Sequence, residues 1–190
     1  MKPKVAGFAL FLLSSSLLAF EIALLRVFSI ESYHHFAYMA VGMALLGFGA
    51  SGTALVLLRR FTQGREWSSF VFLLTLTPPV IMMAPVLGRG LRFDPTQLFW
   101  DPGEWWGLAA VYGVLSLPFL VGAAAVAVAL QGTRERVGFL YAWNLAGSGA
   151  GALGVLPLLV RFRPDVALVW TAVPAILAAL LRSESRLRQH

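Results

Sequence analysis

FAYMAVGMALLGFGASGTALVLL, residues 36–58, runs for 23 positions without one charged side chain. As a helix rising about 1.5 Å per residue it would reach about 35 Å, enough to cross the roughly 30 Å hydrocarbon core of a bilayer. The rest of the chain has the same character. Hydrophobic residues make up 58% of the 190 and charged ones only 13%, where soluble domains carry about 25%. So few charges cannot cover the surface of a water-soluble protein, and the mean hydropathy of +0.76 agrees. The sequence therefore predicts an all-α integral membrane protein.

Five further runs follow outward from this one. The expected spans are 5–28, 36–58, 68–87, 105–130, 137–160 and a short sixth at 166–181, which borrows loop residues to start near 164. Together they form a single transmembrane domain over 1–190. The first run has the basic start and apolar stretch of a secretory signal. It continues past Glu21 to residue 28 with no small-x-small cleavage site, so it is read as a retained span. Prolines 78, 79 and 174 fall inside expected helices.

Orientation follows from arginine and lysine. Lys2, Lys4, Arg59, Arg60, Arg65, Arg134, Arg136, Arg182, Arg186 and Arg188 fall on one side, and Arg26, Arg89, Arg92, Arg161 and Arg163 on the other. A two-to-one excess places the richer side, with both termini, in the cytoplasm of a cell inner (plasma) membrane. The net charge of +6 is spread over span ends, with no patch that would hold nucleic acid. The polar loop 88–104 lies on the opposite side. Trp100, Trp105 and Trp106 are expected as interface anchors there, and Arg26 is expected to snorkel to the same boundary.

With no cysteine in the chain, disulfides, thiolate metal sites and cysteine nucleophiles are excluded. Gly47-Phe48-Gly49-Ala50-Ser51-Gly52 and Gly149-Ala150-Gly151-Ala152-Leu153-Gly154 both match the dinucleotide pattern G-x-G-x-x-G. Each lies inside a continuous apolar run, without the strand, helix and soluble crevice that a pyrophosphate needs. Gly47, Gly49, Gly52, Gly147, Gly151 and Gly154 are read instead as helix-packing positions, and no cofactor is expected. An offset of 102 residues lays Gly47, Gly49 and Gly52 on Gly149, Gly151 and Gly154, Ala40 on Ala142, Ala44 on Ala146, and Arg59 on Arg161. Three helices per repeat would make this an inverted 3+3 repeat. Chance alignment of abundant small residues competes with that reading.

Ionisable groups within a span are costly and mark function by default. Glu21 is the clearest, and Gly7, Ser14 and Glu21, seven apart, share a face expected to point inward. Arg26 lies about 140° around the helix from Glu21, a poor partner. His34 and His35 open the second span at the depth of Glu21. His34 shares a face with Tyr38, Gly49 and Gly52, so a Glu21–His34 hydrogen bond is expected, either as an interhelical bond without chemistry or as a proton or cation site. Adjacent histidines diverge by about 100° and further ligands are lacking, so no metal site is expected. Asn144 shares a face with Gly147 and Gly151, as interhelical glue or as a substrate contact. The chain offers no nucleophile–base pair, paired carboxylates or βαβ pattern, and Ser14-Ser15-Ser16 has no neighbouring base.

Residues 20–58, FEIALLRVFSIESYHHFAYMAVGMALLGFGASGTALVLL, resemble the transmembrane region of membrane-bound spermidine-synthase-like proteins. The shared pattern is an acidic residue (Glu21), an arginine (Arg26) before an aromatic-rich loop (HHFAY, 34–38) and a glycine-rich helix (ALLGFGASG, 44–52). SLPFLVG at 116–122 and YAWNLAGSGAGALGVLP at 141–157 resemble later segments. The resemblance implies a bundle like half of a major-facilitator protein, usually fused to a Rossmann-like domain that transfers an aminopropyl or methyl group. No glycine-rich cosubstrate loop in a soluble strand–helix unit follows before His190. The expectation is thus a membrane anchor or substrate-handling module for a separate or missing cytoplasmic methyltransferase- or aminopropyltransferase-like domain, not an enzyme by itself. Two alternatives stand beside it. One is half of a small-solute or proton-coupled transporter working as a homo-oligomer, and the other is a structural or assembly protein.

Overall fold

A computed structural model of the chain describes residues 3–31, 37–91, 97–132 and 137–187. Its helices are α1 (Pro3–Glu31), α2 (Ala37–Leu57), α3 (Arg59–Thr62), α4 (Glu66–Gly90), α5 (Glu104–Gln131), α6 (Val137–Arg161), α7 (Pro164–Trp170) and α8 (Ala172–Leu187). Among the described residues there is no strand, and six helical stretches are long and apolar enough to cross a membrane. The protein is an all-α multi-pass membrane protein. Most helices run past the apolar cores that the sequence marks, because polar end residues such as Glu66, Arg89 and Arg161 continue the same helices.

α1 and α5 form the centre. Of their most apolar stretches 56% is buried within the chain, against 28% for α2 and 17% for α6, whose outer faces are left for lipid. α6 lies along α1, α2 and α4 lie along α5, and α8 packs on α1 and α4. Phe20 and Phe119 join the two central helices, with ring centroids 5.6 Å apart. Around them one buried cluster gathers Ala23, Met43, Ile81 and Leu168, and a second gathers Leu10, Leu13, Phe70, Leu74, Val128 and Leu140.

The sixth span, Pro164–Leu181, is interrupted at a single residue that keeps α-helical dihedrals. It breaks at Thr171 into α7 and α8. Pro174 supplies the cause: it has no N–H for the Trp170 carbonyl, and its ring crowds the preceding turn. The break is buried and satisfied. Ser16, fully enclosed on α1, donates its hydroxyl to the Thr171 carbonyl, and the Thr171 hydroxyl donates to the Leu168 carbonyl at 2.6 Å. Within a bilayer such broken backbone is tolerated only where neighbouring groups complete its hydrogen bonds. Pro78, Pro79 and Pro85 in α4, Pro118 in α5 and Pro157 in α6 leave those helices unbroken.

The glycines divide into two sets. A β-carbon on Gly147 or Gly151 would land on the backbone of Phe11 or Ser15 in α1, and one on Gly47 would lie 2.7 Å from the Ser116 carbonyl of α5. These three positions let backbones touch. Gly49, Gly52 and Gly154 differ from the packing role expected for them: a β-carbon there meets nothing within 4 Å. Gly49 and Gly52 lie about 200° and 140° around α2 from Gly47, so they cannot share its contact. Gly154 does share the face of Gly147, but crossing helices touch over a limited length. The offset of 102 fails at the same places, pairing packed Gly47 with open Gly149, and open Gly49 with packed Gly151.

Candidate functional site

A cleft of about 290 Å³ opens between α1, α2, α5 and α6. On α1 it is lined by Ser14, Leu17, Leu18 and Glu21, the i, i+3, i+4, i+7 pattern of one helical face. Phe48 and Ser51 of α2 and Asn144 and Ser148 of α6, three and four residues apart, add two further faces. α5 supplies the opposite wall with Ala123, Val126, Ala127 and Leu130, all hydrocarbon. The cleft is therefore two-sided, with polar groups on α1, α2 and α6 facing an apolar wall.

Glycine packing sets the polar side. Because Gly147 and Gly151 bring α6 onto the α1 backbone, the Ser14 hydroxyl reaches Asn144 and donates to its Oδ1 at 2.6 Å. The Asn144 amide nitrogen takes no part in that bond and has two donor hydrogens. Ser51 donates to the Phe48 carbonyl of its own helix at 2.7 Å, which leaves its oxygen lone pairs as acceptors. Glu21 is half-buried and, among the described residues, has neither hydrogen bond nor ion pair. The site thus offers a carboxylate and hydroxyl oxygens that accept from a solute's donors, and an amide NH2 that can donate to a solute's acceptor.

Of the residues singled out in the sequence, Glu21 and Asn144 meet in this cleft. Tyr38 does not, being 79% exposed, and Gly49 and Gly52 on the same face of α2 are exposed as well. His34 and His35 lie outside the described residues, and with them the expected Glu21–His34 bond. Arg26 is exposed, as are Trp100, Trp105 and Trp106 around the loop before α5. Gly7, Ser14 and Glu21 do face inward together: Gly7 abuts the Trp143 ring, and the other two line the cleft. Ser51 and Ser148 were not foreseen. The signal for Ser148 was its position one turn after Asn144. Among the described residues no three His, Cys, Asp or Glu side chains gather where a metal ion could bind.

Outside the cleft, Asp165 at the start of α7 pairs with Arg163 at 3.4 Å and with Arg89 of α4 at 3.7 Å. These partners are exposed, and such pairs contribute about 0–1 kcal/mol. In comparisons with known proteins, the chain matches no family model, no curated protein and no solved structure.

Proposed function

We propose that the chain is the integral membrane module of a spermidine-synthase-like protein, handling substrate for a cytoplasmic methyltransferase- or aminopropyltransferase-like domain. In this reading the transfer chemistry belongs to that domain. The supporting observation is the cleft: a ligand-sized space inside an apolar bundle, lined by Glu21, Ser14, Ser51, Asn144 and Ser148. A protein that served only as an anchor would have no need of a carboxylate there, since polar groups within a span are expensive to place. Both termini are assigned to the cytoplasm, on the arginine and lysine excess. Arg59, Arg60 and Arg65, all exposed between α2 and α4, give that side a basic surface for the partner domain.

Affinity capture of the tagged chain in mild detergent tests this. The expected result is recovery of a protein of the methyltransferase or aminopropyltransferase class, lost when Arg59, Arg60 and Arg65 are changed together to Glu. Recovery of no such protein, from a host that encodes one beside this chain, contradicts the reading.

A second reading is half of a transporter, completed by another copy. It is favoured by open Gly49 and Gly52 on α2 and Gly154 on α6, the helices that flank the cleft. Solute uptake by reconstituted vesicles, abolished by Glu21→Gln, would support it; uptake unchanged by that substitution would remove Glu21 from the path. If Glu21→Gln altered neither capture nor uptake and lowered only the folded yield, the chain would be a structural membrane protein.

A further inference from the structure

We infer that the cleft takes a singly charged alkylammonium, its head on the Glu21 carboxylate and a short uncharged body along the α5 wall. This rests on the cleft being a binding site, as proposed above, and it names the class of ligand.

Four observations carry it. First, Glu21 is the one ionisable side chain among the described residues that line the cleft. A single positive charge would be neutralised there, whereas a second would face only the neutral amide and hydroxyls of Asn144 and Ser148. Leaving a charge unpaired in a low-dielectric site is costly. Second, Glu21 has no protein partner among the described residues, so its oxygens are available to accept from an ammonium head. Third, Ala123, Val126 and Ala127 of α5 present only hydrocarbon. Such a wall suits an alkyl body and gives nothing to a bare calcium or magnesium ion, which would need six or more oxygen ligands in place of its water. Fourth, the volume of about 290 Å³ sits at the small end of ligand pockets. An anion is excluded by the sign of the carboxylate.

The test uses the full chain in phosphatidylcholine nanodiscs, which lack anionic lipid, and ligand-observed NMR with three probes: n-butylammonium, n-butanol and 1,4-butanediammonium. Butylammonium should bind at least about tenfold more tightly than either of the others. Glu21→Gln should erase that preference, and Glu21→Asp should keep part of it. Butanol within twofold of butylammonium, or a Glu21→Gln variant that still prefers the ammonium, would overturn the charge assignment while leaving the cleft a binding site. Butanediammonium binding equally or better would overturn the single-charge assignment. Binding of none of the three would overturn both this inference and the cleft as a site. The comparison of probes on the unaltered chain decides the matter even if the variants fold poorly.

Discussion

Two helix crossings in this bundle are built with one device and differ in what they carry. α6 meets α1 through Gly147 and Gly151, and α2 meets α5 through Gly47; in both, a missing side chain lets backbone touch backbone. The α1–α6 crossing then places Ser14, Glu21, Asn144 and Ser148 around the cleft. The α2–α5 crossing gives the same cleft mainly hydrocarbon, with Phe48 and the α5 wall lining it, Ser51 bonded back to its own helix, and the Phe48 and Phe119 centroids 6.1 Å apart. Close approach therefore does not by itself make a site. It fixes which residues meet, and the chemistry depends on whether polar groups lie on the adjoining face.

Changes to the packed glycines should break both crossings alike. Gly151→Leu and Gly47→Leu each drive a side chain into backbone, and each should cost about 3 kcal/mol, the upper end of overpacking, seen as loss of the monodisperse peak in detergent gel filtration. Survival of one but not the other would show that a single crossing organises the bundle. Next in size is Ser16→Ala on α1, which removes the buried side-chain bond joining α1 to the Thr171 carbonyl and should cost about 0.5–1.5 kcal/mol in thermal unfolding. Its effect should fall on stability alone, since Ser16 does not line the cleft.

A smaller effect sharpens the contrast. A double-mutant cycle on Ser14→Ala and Asn144→Ala should give a coupling near 0.6 kcal/mol, the usual worth of a hydrogen bond between membrane helices. Zero coupling would leave the polar side of the cleft held by the glycines only. Smallest of all, Gly49→Ala, Gly52→Ala and Gly154→Ala should each shift stability by less than about 1 kcal/mol, the scale of helix propensity. A large loss at any of them would reveal a contact beyond this chain, as a second copy would supply.

The spans were legible because residues such as 36–58 exclude charge over a length that only a bilayer crossing explains. Glu21 and Asn144 stood out for the same reason, being polar where polarity is expensive. The break at Thr171 was less visible: six prolines lie inside the helices, and only Pro174 coincides with an interruption, where Ser16 of a distant helix bonds the neighbouring Thr171 carbonyl. Ser51 gave little signal because serine in a membrane helix often bonds its own backbone, as Ser51 also does. The glycine pattern misled because a motif is linear while packing is angular. Gly47 and Gly49 belong to one G-x-G-x-x-G and point to nearly opposite sides.

The central claim, that the cleft is a binding site within a bundle otherwise facing lipid, requires that a solute reach it from water, and single cysteines in this cysteine-free chain test that most directly. Cysteine is placed at Ser148 and Ala127 in the cleft and at Leu153, 72% exposed on the outside of α6. A membrane-impermeant maleimide, which needs water to form the reactive thiolate, is applied to each face of sealed vesicles. The account predicts labelling of the two cleft positions from one face of the membrane and none at Leu153. Cleft positions as unreactive as Leu153 from both faces would contradict it.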